Sequence, residues 1–327
     1  MAGIMHKTSR LMTAVLLGCL LAGCGGQLLS HREIVRAVFF TAQDAGYTVT
    51  LLTSDQQSED SAACKTFTGS GATCAAAWNA AAQTMNGQPF YGLMDLAVLP
   101  AGCSWPLAEE IAQLLQSTAR PAPEIAVFVL DPAVQMPIQD QTPTLYENLK
   151  ALEEKQQLHC GLQTLFDNAE TAAVPVSAGG EYAMLFYDTA ANTARQTQSP
   201  LAAQLAAILC GQAHRLDCTL PDDLHLAAKA AADVQVLAPG SVRVNLTLRD
   251  VKLKDLTPAA RPDAELQVAF AAAANREFDG LITALYGING PDADPLDLRF
   301  WLQNRYGSTQ GALRAELTLH WHRPGEG

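Results

Sequence analysis

The stretch Ile34–Thr53, IVRAVFFTAQDAGYTVTLLT, decides the fold class. Ile34 to Thr41 and Tyr47 to Thr53 are rich in β-branched and aromatic residues, and Asp44-Ala45-Gly46 between them has turn composition. The pair reads as an antiparallel hairpin. Helices and short buried strands follow it. Thr73 to Met85 is Ala-rich and helical, with Thr73 as its cap and Asn86-Gly87 as its stop. Leu93 to Leu99 and Glu124 to Leu130 are apolar runs of strand length, and Pro106 to Thr118 between them is an amphipathic helix. A hairpin beside such elements predicts an α+β fold with mixed sheets rather than a doubly wound parallel sheet.

Outward from that core, Ser54 to Gly71 and Asp131 to Pro143 read as loops, and Leu145 to Gln157 and Leu162 to Ala169 as helices. Val174 to Gly180 (VPVSAGG) is the best internal boundary, dividing an N-terminal unit, 31–175, from a C-terminal unit, 180–327. The second unit opens with strand Glu181 to Tyr187 and helix Leu201 to Leu209. Val242, Val244, Leu246 and Leu248 alternate with polar residues, and the apolar phase then moves to Val251 and Leu253. That shift predicts a bulge or bend near Arg249-Asp250. Pro262 to Tyr286 is a long helix with Leu266, Phe270, Phe278, Leu281, Ile282 and Leu285 on its core side, and Leu296 to Tyr306 is a shorter one. The last strand places Leu313, Ala315, Leu317, Leu319 and Trp321 on one face.

With 327 residues, 49% of them apolar and 17% charged, the chain can bury a substantial core, which excludes disorder by composition. The formal net charge is −12 and no basic run occurs, which argues against nucleic acid as a partner. The N-terminus carries the sharpest local signal. Lys7 and Arg10 precede the apolar stretch Leu11–Leu21, and Leu21-Ala22-Gly23-Cys24 has the form of a bacterial lipobox. The apolar stretch is shorter than the roughly 20 residues that span a bilayer. An ordinary cleaved signal or a short anchor helix is the plainer reading; the sharper one makes 1–23 a lipoprotein signal peptide, Cys24 the lipidated thiol and 24–30 a tether.

Two cysteine pairs, Cys64 with Cys74 and Cys210 with Cys218, flank short loops and are candidate disulfides, with free thiols the alternative. No C-x-x-C, G-x-S-x-G, G-x-x-x-x-G-K or H-E-x-x-H occurs, so no catalytic or cofactor-binding set is predicted. His320 and His322 share a strand face but lack a third ligand, and Asp292, Asp294 and Asp297 lack the glycine and terminal glutamate of a calcium loop. Asp294 before Pro295 reads more simply as a helix cap. His159-Cys160 is a weak nucleophile pair. Phe300 and Trp301 are adjacent on the short helix, so one of them should reach the surface as an interface anchor.

The lipobox, followed by His31-Arg32-Glu33-Ile34-Val35-Arg36-Ala37-Val38 and the Gly-Tyr-Thr-Val-Thr strand, resembles the start of the Ger(x)C lipoproteins. These are the C subunits of nutrient germinant receptors in spore-forming bacteria. Gly87-Gln88-Pro89-Phe90-Tyr91-Gly92 between a helix and a strand, Met184-Leu185-Phe186-Tyr187-Asp188, and Asp294-Pro295-Leu296-Asp297-Leu298 with Trp301-Leu302 and Arg305 resemble later elements of that family in the same order. The resemblance implies a non-enzymatic chain without cofactor, lipid-anchored at Cys24 on the outer face of the spore inner membrane. It would assemble with the A-type and B-type membrane subunits of a receptor. An extracytoplasmic solute-binding lipoprotein and a lipid-anchored hydrolase are the alternatives. The first is disfavoured by two halves without visible similarity, the second by the missing nucleophile motif.

Overall fold

The computed structural model describes residues 32–54, 64–134, 140–166, 170–257, 261–287, 294–307 and 313–322. The segments read as a signal peptide and a tether, with Cys24, lie outside them, as do Asp292 and residues 55–63, 135–139 and 167–169 of the segments read as a loop at 54–71, a loop at 131–143 and a helix at 162–169.

β1 (Arg32–Gln43) and β2 (Gly46–Ser54) form the expected hairpin, with Gln43 opposite Gly46. A register shift between Val35 and Ala37 puts Val35, Val38 and Phe40 on one face of the sheet and Ala37 and Phe39 on the other. One extra residue is what reverses the side-chain alternation. β3 (Cys64–Gly71) pairs antiparallel with β2, so this part of the segment read as a loop is a strand. α1 (Cys74–Gln83) begins as the sequence indicates: the Thr73 side chain accepts the Ala76 N–H at 3.1 Å.

β4 (Gln88–Phe90) and β5 (Leu96–Leu99) both run parallel to β1. α2 (Trp105–Leu114), continued by a π-helical turn to Ala119, leads to β6 (Ala126–Leu130), and α3 (Thr142–Gln156) leads to β7 (Thr171–Ser177). Helical crossovers return the chain parallel, so β5, β6 and β7 form the parallel centre. Of the helix read at 162–169, the described part is a single 3-10 turn, Leu162–Leu165. β8 (Tyr182–Asp188) and β9 (Thr193–Gln196) close the sheet antiparallel in the order β3-β2-β1-β5-β6-β7-β8-β9. The segment read as the internal boundary is therefore a β-hairpin inside one sheet. The change of sheet comes later, after α4 (Pro200–Leu209).

The second sheet runs β10 (Arg215–Thr219), β11 (Leu224–Ala238), β12 (Ser241–Asp255), β13 (Arg314–Trp321), with only the last pair parallel. The expected irregularity is present: Lys229 faces Arg249, Ala227 faces Lys252, and Asp250 takes φ 54°. α5 (Asp263–Tyr286) and α6 (Leu298–Tyr306) cover the apolar face of this sheet. One core lies between the first sheet and α1 with α2. The other begins on the opposite face and continues through α3 and α4 into the second sheet. The whole is an α+β fold with mixed sheets, as the sequence predicts.

Candidate functional site

α6 is a short helix held from below, with three aromatic rings among the polar residues of its exposed side. Leu298 and Leu302, one turn apart, are buried against the second sheet. Phe300 is 54% exposed, Trp301 43% and Tyr306 44%, and the first two rings meet edge to face with centroids 6.1 Å apart. Both members of the predicted pair thus reach the surface, because residues about 100° apart around a helix can straddle the pole opposite its buried stripe.

A polar hub sets the helix in place. The Tyr286 hydroxyl donates to Asp294 Oδ1 at 2.7 Å and accepts the Leu296 N–H at 3.1 Å. Asp294 Oδ2 accepts the Phe300 N–H at 2.8 Å. Asp294 therefore caps the helix, although from outside it: the residue directly before the helix is Asp297, at φ 56°, whose own side chain makes no cap bond. Burial beside Asp294 pushes the Tyr286 phenol far above its ordinary value, so it stays a hydroxyl donor. The Arg299 guanidinium stacks over the Tyr286 ring, 5.7 Å from its centroid. Gly307, at φ 69°, ends the helix with its N–H on Gln303 O.

The disulfide expectation does not hold, since all six cysteines of the described residues are free thiols. Cys64 opens β3 while Cys74 opens α1 beyond its other end, and the two serve different cores; Cys210 turns its sulfur to Pro295 O at 3.7 Å while Cys218 faces the core from β10. Disulfide geometry needs Cα atoms within about 7 Å. Desolvation pushes the Cys160 thiol up to about 12, which leaves it protonated and a poor nucleophile beside His159. His320 Nε2 lies 3.3 Å from Asn245 Oδ1, and among the described residues no three His, Cys, Asp or Glu side chains converge as for a metal.

Sequence reasoning missed one polar cluster. Arg36, at the β1 bulge, meets Asp95 at 2.5 Å, and the Tyr146 hydroxyl donates to both Asp95 oxygens at 3.2 and 3.1 Å. A lone arginine in an apolar strand was the signal available. Its hydrogen bond to Asp95 raises the Arg36 pKa, and burial raises that of Tyr146, so neither group exchanges a proton near neutrality and the cluster acts as a clasp between β1 and α3. Two cavities, of about 580 and about 510 Å³, open beside Thr144 and Asn148 and beside Glu124 and His159. Among the described residues, the one cysteine lining either cavity is Cys160, the thiol that burial holds protonated.

No family model matches the chain, and no curated protein matches it. Among solved structures, one described as the crystal structure of the GerBC protein aligns with 87% of this chain and 96% of its own, at 10% sequence identity and a TM-score of 0.48.

Proposed function

We propose that the protein is the lipid-anchored C subunit of a spore nutrient germinant receptor. It acts by contact with the A-type and B-type membrane subunits and carries out no chemistry of its own. The observation that carries the reading is the ordered set of Ger(x)C-like segments behind the lipobox Leu21-Ala22-Gly23-Cys24. Two of those segments are neighbours in space. Arg32, Glu33 and Ile34 pair with Gln88, Pro89 and Phe90, and the Arg32 guanidinium lies 5.4 Å from the Phe90 ring centroid. Tyr91 then accepts the Trp78 indole N–H at 3.0 Å, tying the second segment to α1. Segments separated by more than fifty positions in sequence thus form one structural unit, which gives a physical reason for them to occur together.

Membrane attachment in this reading comes from lipid on Cys24. Among the described residues no helix is long and apolar enough to cross a membrane. Each buried methylene of an acyl chain contributes about 0.8 kcal/mol, enough for two or more chains to hold an acidic body at a bilayer. The exposed aromatics of α6 supply the partner-facing anchor, since Trp and Tyr dominate interface energetics. Mass spectrometry of the mature N-terminus tests the reading: a diacylglyceryl-modified Cys24 is expected, with Cys24→Ala leaving an uncleaved precursor or a released chain. An unmodified Cys24, or cleavage elsewhere, overturns it.

A further inference from the structure

We propose that the outer face of the second sheet, where β10, β11 and β12 run side by side, docks on the anionic headgroups of a phospholipid bilayer and orients the chain there. The proposal rests on the lipid-anchor reading for what holds the chain at the bilayer; the docking face is read from the structure alone. One face of these strands is apolar and turned to the core. On the other, the register sets three rows of three: Arg215, Lys229 and Arg249; Asp217, Ala227 and Lys252; Thr219, His225 and Lys254. Rows lie about 7 Å apart and strands about 4.8 Å, so the nine side chains share one patch. The bulge at Arg249-Asp250 creates it. One extra residue there turns Val251 and Leu253 to the core and Lys252 and Lys254 outward.

Lys155, in the last turn of α3, adds a sixth cation. It reaches Asp217 Oδ1 at 3.3 Å, and Arg215 reaches Oδ2 of the same buried carboxylate at 3.3 Å. Asp250 bonds Lys229 at 2.8 Å, and with it Lys252 and Arg249 hold that carboxylate below its ordinary value. Six cations thus face two carboxylates, in a chain of net charge −12 with seven lysines, four of which stand here. Acidic groups form the rim. Glu154, Asp223 and Asp233 are exposed, Glu153 is bonded to Lys150, and Asp222 and Asp255 are bonded to Arg261. The attraction is therefore local: the lipid supplies the hold, and the patch selects which face of an acidic body meets an anionic plane.

Composition and position both select a bilayer as the occupant. Protein interfaces deplete lysine and rely on aromatic anchors. This patch is lysine-rich, holds no Phe, Tyr or Trp, and has Ala227 as its one apolar residue. Position follows from the chain trace. β1, β5 and β6 run parallel, with Ala37, Leu96 and Ala126 level with one another at the N-terminal ends of β5 and β6. Ala126 bridges Gly161, and the His159 N–H donates to Gln212 O at 2.6 Å, three residues before Arg215. Arg32, where the described chain begins, lies upstream of Ala37 at that same end. Eight residues of chain from Cys24 to Arg32 span at most about 27 Å. The cysteine that would carry lipid is thus tied to the end of the molecule that holds Arg215 and Lys155.

Amine acetylation of the full lipidated chain tests the proposal. The chain is reconstituted in vesicles of phosphatidylcholine alone and of equal parts phosphatidylcholine and phosphatidylglycerol, and the rate at each lysine is read by mass spectrometry. Lys155, Lys229, Lys252 and Lys254 should slow severalfold on the anionic vesicles and recover in concentrated salt, which screens the attraction. Lys65, on β3 and four strands from β6, should not change. In Lys252→Gln/Lys254→Gln, two exposed positions, Lys155 and Lys229 should lose their protection. Equal rates on both vesicles, slowing of Lys65 as large as that of the four, or protection that requires a second protein instead of phosphatidylglycerol overturns the proposal. A chain that fails to float with neutral vesicles overturns the lipid reading alone; salt-sensitive flotation with the anionic vesicles then supports the patch, and its absence overturns the patch as well.

Discussion

Removing the Asp294 carboxylate should release α6 from its seat. Asp294→Ala deletes two acceptors at once, the one for the Phe300 N–H at 2.8 Å and the one for the Tyr286 hydroxyl at 2.7 Å. Loss of a helix cap costs about 1 kcal/mol. Loss of a hydrogen bond to a charged group costs about 1.5–3 kcal/mol, with the buried hydroxyl left without that acceptor. Allowing for overlap between the two effects, the total is about 3 kcal/mol. In a Tyr286→Phe background only the cap remains to be lost, so the same substitution should cost about 1 kcal/mol, a coupling of about 2 kcal/mol. Urea unfolding of the four variants measures the cycle directly. Additive effects, with coupling below about 0.5 kcal/mol, would refute the idea that Tyr286 and Asp294 act as one hub.

Three further outcomes follow from the packing. Trp78 is buried between Phe40 and Tyr91, with ring centroids at 5.9 and 5.3 Å, so Trp78→Ala should destabilise by about 3–5 kcal/mol and Trp78→Phe by less, in the same unfolding assay. Bonds from Arg261 and Thr257 hold the Asp255 carboxylate well below the usual carboxylate range, so its contribution is present at neutral pH and lost as pH falls through that depressed value. Arg261→Gln should therefore lower stability at pH 7, and the difference from the unsubstituted chain should shrink as pH drops below about 4, the ordinary aspartate value. Native-state alkylation should modify Cys64, the half-buried thiol of β3, well before the buried Cys74, Cys103, Cys160 and Cys218; equal rates for all five would contradict the packing.

The elements legible in the sequence are those whose local chemistry and tertiary role agree. The first hairpin combines strands rich in β-branched and aromatic residues with a glycine at its turn, α1 carries its own threonine cap, and the phase shift at Arg249-Asp250 marks a real change of register. The missed elements are those where long-range contact overrides propensity. β3 reads as a loop because of Gly69 and Gly71, yet these glycines are there for closeness to α1: a Cβ on Gly69 would come within 2.1 Å of Ala81 N. β11 is Ala-rich and looks like no strand, but its fifteen residues are held by pairing along β12, and Ala227, Ala228 and Ala230 are buried. The aromatic surface of α6 was visible as two adjacent rings, whereas the Tyr286–Asp294 hub beneath it was not. The two residues are eight positions apart, and nothing local announces a hydroxyl that both donates to a carboxylate and receives a backbone N–H.

The central claim is that this chain works through contact, with α6 as the anchor. Affinity capture of the tagged full-length chain from detergent-solubilised spore membranes, beside its Phe300→Ala/Trp301→Ala variant, measures this most directly. The account predicts that two multi-pass membrane proteins accompany the unsubstituted chain, and that their recovery falls at least severalfold with the variant while its unfolding curve stays unchanged. Recovery of the chain without membrane partners, or equal capture by both forms, would contradict it.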